Sequence, residues 1–232
     1  MSEAFKTTRW SLIVAAAGDD AIANEALSEL CQVYWRPLYA YVRRHGHSPE
    51  ESADLTQAFF LHLLEHRGFE RADPSRGHFR AYLVTSARNF LLNARDRGLS
   101  LRRGAKAPHE SIDAIEAERY LALNATDPES SPEAVFERQW ALRVTERALE
   151  RLRRDYAERG QEHTFEEVRP FLTSDGSPPN QSAGSSSSEA FRAALHRARR
   201  RFGEALRVEI QETVDESDVE DELRFLLRVL MS

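Results

Sequence analysis

In the stretch FRAYLVTSARNFLLNARDRGLSLRR (79–103), Phe79, Leu83, Phe90 and Ala94 recur at steps of four and seven. That is a helix period, at odds with the alternation of a strand, and it gives the segment one apolar face. Arg88 and Arg95, seven residues apart, fall on the opposite face. Between Arg76 and Lys106 stand eight basic residues against one acidic residue, Asp96. The whole chain carries a formal net charge of −6, so this is a local cationic surface on an acidic protein. Such a surface suggests contact with a polyanion; the alternative is a solvated helix face. Of the 32 basic residues only Lys6 and Lys106 are lysine. Arginine suits bidentate contact with phosphate and guanine, although a GC-rich genome accounts for the bias equally well.

The same period governs most of the remaining chain. Leu27, Leu30, Val33, Tyr34, Leu38, Tyr41 and Val42 predict a helix over 24–45, with a kink or break at Pro37 and closure at Gly46. Ser48-Pro49-Glu50-Glu51 is a start signal, combining a capping serine, proline at the first position and a glutamate three residues after the cap. The helix it opens, to about His66, buries Leu55, Phe59, Leu63 and Leu64 and exposes Asp54 and Gln57. Cys31, the single cysteine, has no disulfide partner and reads as a core residue of a reducing compartment. The apolar run near the N-terminus is too short for a signal peptide or a membrane span, so a soluble, cytoplasmic protein is expected.

From Ala107 to Glu133 seven acidic residues stand against Arg119 alone, among three prolines, which predicts an extended acidic linker (104–133) between two domains. Ser131-Pro132-Glu133 restarts the helical period, carried by Phe136, Trp140, Val144, Leu149, Leu152 and Tyr156. A short helix near Phe165–Leu172 and a Ser/Gly/Pro-rich loop follow. The last long helix starts near Ser187, with Phe191, Leu195, Ala198, Phe202 and Leu206 as its stripe. It has six arginines against two glutamates between Glu189 and Arg207. A short helix, a turn and a basic helix read as a helix-turn-helix. Eight acidic residues then crowd Glu209–Glu222, ahead of a stripe of Leu223, Leu226, Leu227 and Leu230. The expected class is all-α.

Candidate chemistry is sparse. His62-Leu-Leu-Glu65-His66 has the H-x-x-E-H spacing of inverted zinc peptidases, but no third ligand is apparent and the helix needs its apolar side for packing. There is no Gly-rich phosphate loop, nucleophile elbow or paired cysteine, so neither a cofactor nor a metal is expected. The conspicuous side chains are basic, aromatic and amide, which points to binding rather than catalysis.

These segments together resemble the sigma-70 family of RNA polymerase sigma factors, of the extracytoplasmic-function (ECF) type. YWRPLYAYVRRHGHSPEESADLTQAFFLHLL (34–64) is similar to the polymerase-binding helices of region 2, including the D-L-T-Q-x-F signature at Asp54, Leu55, Thr56, Gln57 and Phe59. FRAYLVTSARNFLLNARDR (79–97) is similar to the helix that captures the melted −10 element, and EAFRAALHRARRRF (189–202) to the region 4 helix that reads the −35 element. The resemblance implies two small helical domains, a region 2-like bundle (1–103) and a region 4-like helix-turn-helix (134–208), joined by the acidic linker and followed by an acidic extension (209–232).

It also implies roles. Asp54, Leu55, Gln57 and Phe60 would bind core RNA polymerase. Tyr82, Asn89 and Asn93, on one flank of the −10 helix, would read bases that have left the stack, and Arg80, Arg88, Arg95 and Arg97 would hold phosphates. Ser188, Arg192, His196, Arg197 and Arg200 would meet the −35 element. The stretch PPNQSAGSSSS (178–188) departs from the Y-A-E-I-A-x-x-L-G pattern of the usual supporting helix, being short and rich in poor helix formers. Expected partners are core polymerase and promoter DNA, with an anti-sigma factor or a regulatory kinase as candidate controllers, and no membrane. The acidic tail admits two readings, an arm that folds back on the basic recognition helix in competition with DNA or a solvated flank. The implied function is that of a bacterial transcription initiation factor that performs no bond chemistry. The alternatives are a helix-turn-helix regulator acting without polymerase and a zinc hydrolase built on His62, Glu65 and His66.

Overall fold

A computed structural model of the chain describes residues 20–65, 78–96, 112–124, 127–173, 186–211, 214 and 216–231. Among these residues there are helices and no strand, as the helical period requires. In chain order they are α1 (Asp20–Arg44), α2 (Pro49–Glu65), α3 (Phe79–Asp96), α4 (Ile112–Leu123), α5 (Pro132–Glu158), α6 (Glu162–Val168), α7 (Ser186–Gln211) and α8 (Val219–Met231). Short 3₁₀ turns at Arg169–Phe171 and Glu216–Asp218 follow α6 and precede α8. No helix among the described residues is long and apolar enough to cross a membrane.

The predicted start signals work as written. Ser48 Oγ accepts from the Glu51 N–H, and Glu51 Oε2 accepts in return from the Ser48 N–H, closing a capping box before α2. Ser131 Oγ caps α5 by accepting from the Ala134 N–H at 3.1 Å. Gly46 ends α1 at φ 91°, a left-handed conformation that glycine adopts without a Cβ clash. The break expected at Pro37 does not occur, and α1 runs through it. Tyr34, Leu38 and Tyr41, on both sides of the proline, are fully buried; their packing holds the helix across the hydrogen bond that Pro37 cannot donate.

The core is one continuous apolar cluster. Tyr34, Leu38, Phe59, Leu63, Phe79 and Leu83 carry it through α1–α3, and Phe136, Trp140, Val144, Leu152, Leu195, Phe202 and Leu226 carry it through α5, α7 and α8. The most extensive helix contact is between α1 and α5, followed by α5 with α7. The two halves expected as separate domains therefore lie against each other, with α5 as the shared wall.

The acidic linker is not extended throughout. IDAIEAERYLAL (112–123) forms α4, because alanine, glutamate and leucine are strong helix formers and its carboxylates have partners. Glu116 pairs with Arg36 at 2.6 Å, and Glu118 with Arg43 at 2.6 Å while also accepting from the Tyr39 hydroxyl. Burial alone would raise the Glu118 pKa; the bonds from Arg43 and Tyr39 outweigh it and hold the carboxyl below its ordinary value. The guanidinium of Arg36 also sits over the Tyr120 ring, and Arg44 donates to the carbonyls of Ser130 and Pro128. The acidic segment is fastened to the basic side of α1.

Candidate nucleic-acid interface

Helix α3 presents the surface expected of it, with one exception. Phe79, Leu83, Ala87 and Ala94 are buried and Phe90 half-buried, resting on Phe59 and His62. Arg88, Asn89, Asn93 and Arg95 are exposed. Asn89 and Asn93 lie one turn apart, and Tyr82 lies two turns before Asn89 on the same flank. The Tyr82 ring is half-buried and stacked on Phe79, with centroids 6.3 Å apart. An aromatic and two amides thus share a flank beside a cationic edge formed by Arg88 and Arg95. Such a surface can stack on bases, bond their edges and hold phosphates without catalytic groups. Arg97 and the loop at 68–77 lie outside the described residues.

The exception is Arg80. Expected as a phosphate contact, it instead points into the protein, with 11% of its side chain exposed. Its guanidinium is 3.0 Å from Glu222 on α8, a carboxylate only 2% exposed, and lies over the rings of Phe225 at 3.9 Å and Trp140 at 5.4 Å. His78 Nδ1 stands 3.5 Å from the other Glu222 oxygen. The helix period explains the placement. Arg80 precedes buried Ala87 by seven residues and so lies within about 20° of it around the helix axis, on the core-side edge of the arginine face.

On α2, Asp54 and Gln57 are exposed as expected. Leu55 and Phe60 are each 6% exposed and belong to the core, so neither side chain is presented to a partner. Leu61, four residues after Gln57 and seven after Asp54 and half exposed, completes the outward face with them. The sequence reading names only the polar residues of this face, because an apolar side chain gives no local sign of exposure.

Helix α7 buries Leu195, Ala198, Phe202, Ala205, Leu206 and Ile210, and exposes Arg192, His196, Arg197 and Arg200. Arg199 donates to the Phe171 carbonyl, joining α7 to the turn after α6, and Arg201 reaches Asp155 at 3.5 Å and lies over the Tyr156 ring. The side chain of Ser188 and the stretch 174–185, where a supporting helix was in question, lie outside the described residues.

The described part of the tail folds onto the bundle, and its Glu220 pairs with Arg207 of α7 at 2.8 Å. Its first acidic residue, Glu209, is 5% exposed and accepts from Arg147 at 2.7 Å and Arg151 at 2.8 Å. Burial works to raise its pKa, but the two arginines outweigh it and hold it below the ordinary value. Glu222 behaves oppositely: burial raises its pKa, and Arg80 and His78 offset that only in part. The expected leucine stripe is shifted. Val219, Glu222 and Leu226 form the buried line, Leu223 and Leu230 are half-buried and Leu227 is exposed.

Among the described residues no group of three or more His, Cys, Asp or Glu is placed to hold a metal; His66 lies outside them. Cys31 is a free thiol whose pKa burial pushes up to about 11, so it is protonated at neutral pH.

No curated protein and no solved structure matches the chain. A family model does: residues 30–98, which run from the end of α1's first half through α3, match sigma-70 region 2. The match takes in the outward face of α2 and the amide flank and arginine edge of α3. Over those residues the chain is similar to region 2 of the sigma-70 family.

Proposed function

We propose that the chain is an ECF-type sigma factor of a bacterial cytoplasm. It binds core RNA polymerase through the Asp54, Gln57 and Leu61 face of α2, captures the melted −10 element on α3 and presents α7 to the −35 element. The observation that carries this reading is the region 2 match over helices whose amides and arginines face outward. Asn89 and Asn93 are the base readers, Tyr82 a stacking surface, and Arg88, Arg95 and Arg97 the phosphate holders. Arg192, His196, Arg197, Arg200 and Ser188 serve the duplex at −35. The family is one of non-enzymatic transcription factors, and the binding chemistry of these faces needs no bond-making group. Residues 1–103 and 134–208 act as its two DNA-facing domains, 104–133 as their connection and 209–232 as a regulatory extension.

The packed arrangement must open for this work. Promoter elements about 25 base pairs apart are separated by roughly 85 Å of duplex. Helix α5, the wall between α1 and α7, is 27 residues long and spans only about 40 Å. Transcription in vitro with core polymerase across a promoter library tests the reading. Transcripts from a subset of promoters are expected; no complex with core polymerase and no promoter-dependent transcript would refute it.

A further inference from the structure

Helix α8 has no place in the region 2 match, yet it fills the one basic position of α3 that is not exposed. Glu222 is in register with Val219 and Leu226, three and four residues away, so docking its apolar stripe carries the carboxylate into the interior. There it meets Arg80, and Phe225 covers the guanidinium from one side. Arg138 donates to the Val229 carbonyl and Arg207 pairs with Glu220 at 2.8 Å, which ties the same helix to α5 and α7. One short helix therefore fastens the −10 helix to the wall and to the recognition helix.

The fastening is incomplete where it holds Arg80. Arg80 Nε and Nη1 and Glu222 Oε2 are buried without a protein hydrogen bond, despite the 3.0 Å ion pair. A buried ion pair is well held only when its remaining polar atoms are satisfied. This one is desolvated and only partly repaid, so it favours release once a better anion competes for Arg80.

We propose that α8 is an internal clasp that withholds Arg80 from single-stranded DNA and keeps region 2 closed against α5 and α7, so that its release is a step in activating the factor. The proposal rests on the sigma reading above. Displacement of Glu222 by a DNA phosphate exchanges one anion for another on Arg80 and removes the acidic helix, with Glu220, Asp221 and Glu222, from the path of the strand.

The test uses the full chain, a fluorescent random-sequence 20-nucleotide single-stranded DNA, and core polymerase in parallel. Glu222→Gln and Phe225→Ala should each bind the oligonucleotide about tenfold more tightly than the wild type, the scale of one recovered charge-assisted contact. The slope of log affinity against log salt should steepen by about 0.7, the increment of one added phosphate contact on a single strand. Adding Arg80→Gln to Glu222→Gln should abolish both gains. Core polymerase affinity, carried by the α2 face, should stay constant throughout. A gain that survives Arg80→Gln, or no gain from either single variant while core binding persists, overturns the clasp alone. Failure of every chain, wild type included, to bind core polymerase overturns the sigma reading and the clasp with it.

Discussion

Two buried glutamates hold the C-terminal third of the chain, and they do so differently. Glu209 offers each oxygen to a separate arginine, at 2.7 and 2.8 Å, and both bonds have good geometry. Glu222 is buried as deeply, but it faces one arginine in a poor hydrogen-bonding geometry and a histidine at 3.5 Å. Burial penalises both carboxylates; the pairing overcomes that penalty at Glu209 and not at Glu222. A charge buried with full compensation makes a permanent joint, here between α5 and α7. A charge buried with partial compensation makes a joint that can be traded for another ligand, here between α8 and α3.

The joints should therefore break unequally. Glu209→Ala leaves Arg147 and Arg151 facing each other at the α5–α7 joint, and should lower global stability in urea unfolding by about 3–5 kcal/mol. A loss near zero would show that the joint is not anchored there. On the opposite side of α3, Asn89→Ala touches neither joint. It should weaken −10 discrimination by about tenfold, the scale of a lost base-edge contact, with core polymerase binding and unfolding midpoint unchanged. Loss of polymerase binding instead would mean that the reading and docking faces are misassigned. Glu222→Gln removes a charge whose burial was only partly offset, so global stability should change by about 1 kcal/mol or less. Phe225→Ala, which uncovers the Arg80 guanidinium, should loosen α8 alone, detected as faster limited proteolysis between α7 and α8.

Acid should separate the joints as well. Glu209 has a depressed pKa, so its contribution is complete above its ordinary value of 4.5 and is lost as pH falls through the depressed one. Glu222 has a raised pKa, so its contribution is complete below 4.5 and is lost as pH rises through the raised value. The groups facing Glu222 are Arg80, His78, Glu137 and Asp218. Between neutrality and pH 5, proteolysis of the α7–α8 connection should slow, whereas the α5–α7 joint should weaken only below pH 4.5. Faster cleavage at pH 5 would contradict the assignment.

Much of this was legible in the sequence. The helix periods over 24–45, from Phe79 to Ala94 and from Phe136 to Tyr156, and both serine caps, come from local chemistry, which a linear reading captures. What escaped was charge carried into the core. Arg80 was grouped with Arg88 and Arg95 by sign, although its seven-residue relation to Ala87 places it on the core-side edge of that face. Glu209 and Glu222 were counted as members of an acidic tail, although each occupies the register of an apolar stripe: Glu209 with Phe202 and Leu206, Glu222 with Val219 and Leu226. A charged residue in such a register is a signal, but its partner lies far away in sequence. Arg80 and Glu222 are separated by the whole of α4 to α7, and no local pattern joins them. The acidic linker concealed its helix for the same reason, because the arginines that neutralise Glu116 and Glu118 belong to α1.

Amide hydrogen exchange on the intact chain tests the difference between the two joints most directly, because it reads the opening of each helix separately. Helix α8 should exchange through a local opening far cheaper than that of α5 and α7, and Phe225→Ala should abolish protection in α8 while leaving α5 and α7 protected. Exchange of α7 and α8 as one cooperative unit, in the wild type and in Phe225→Ala alike, would contradict the account.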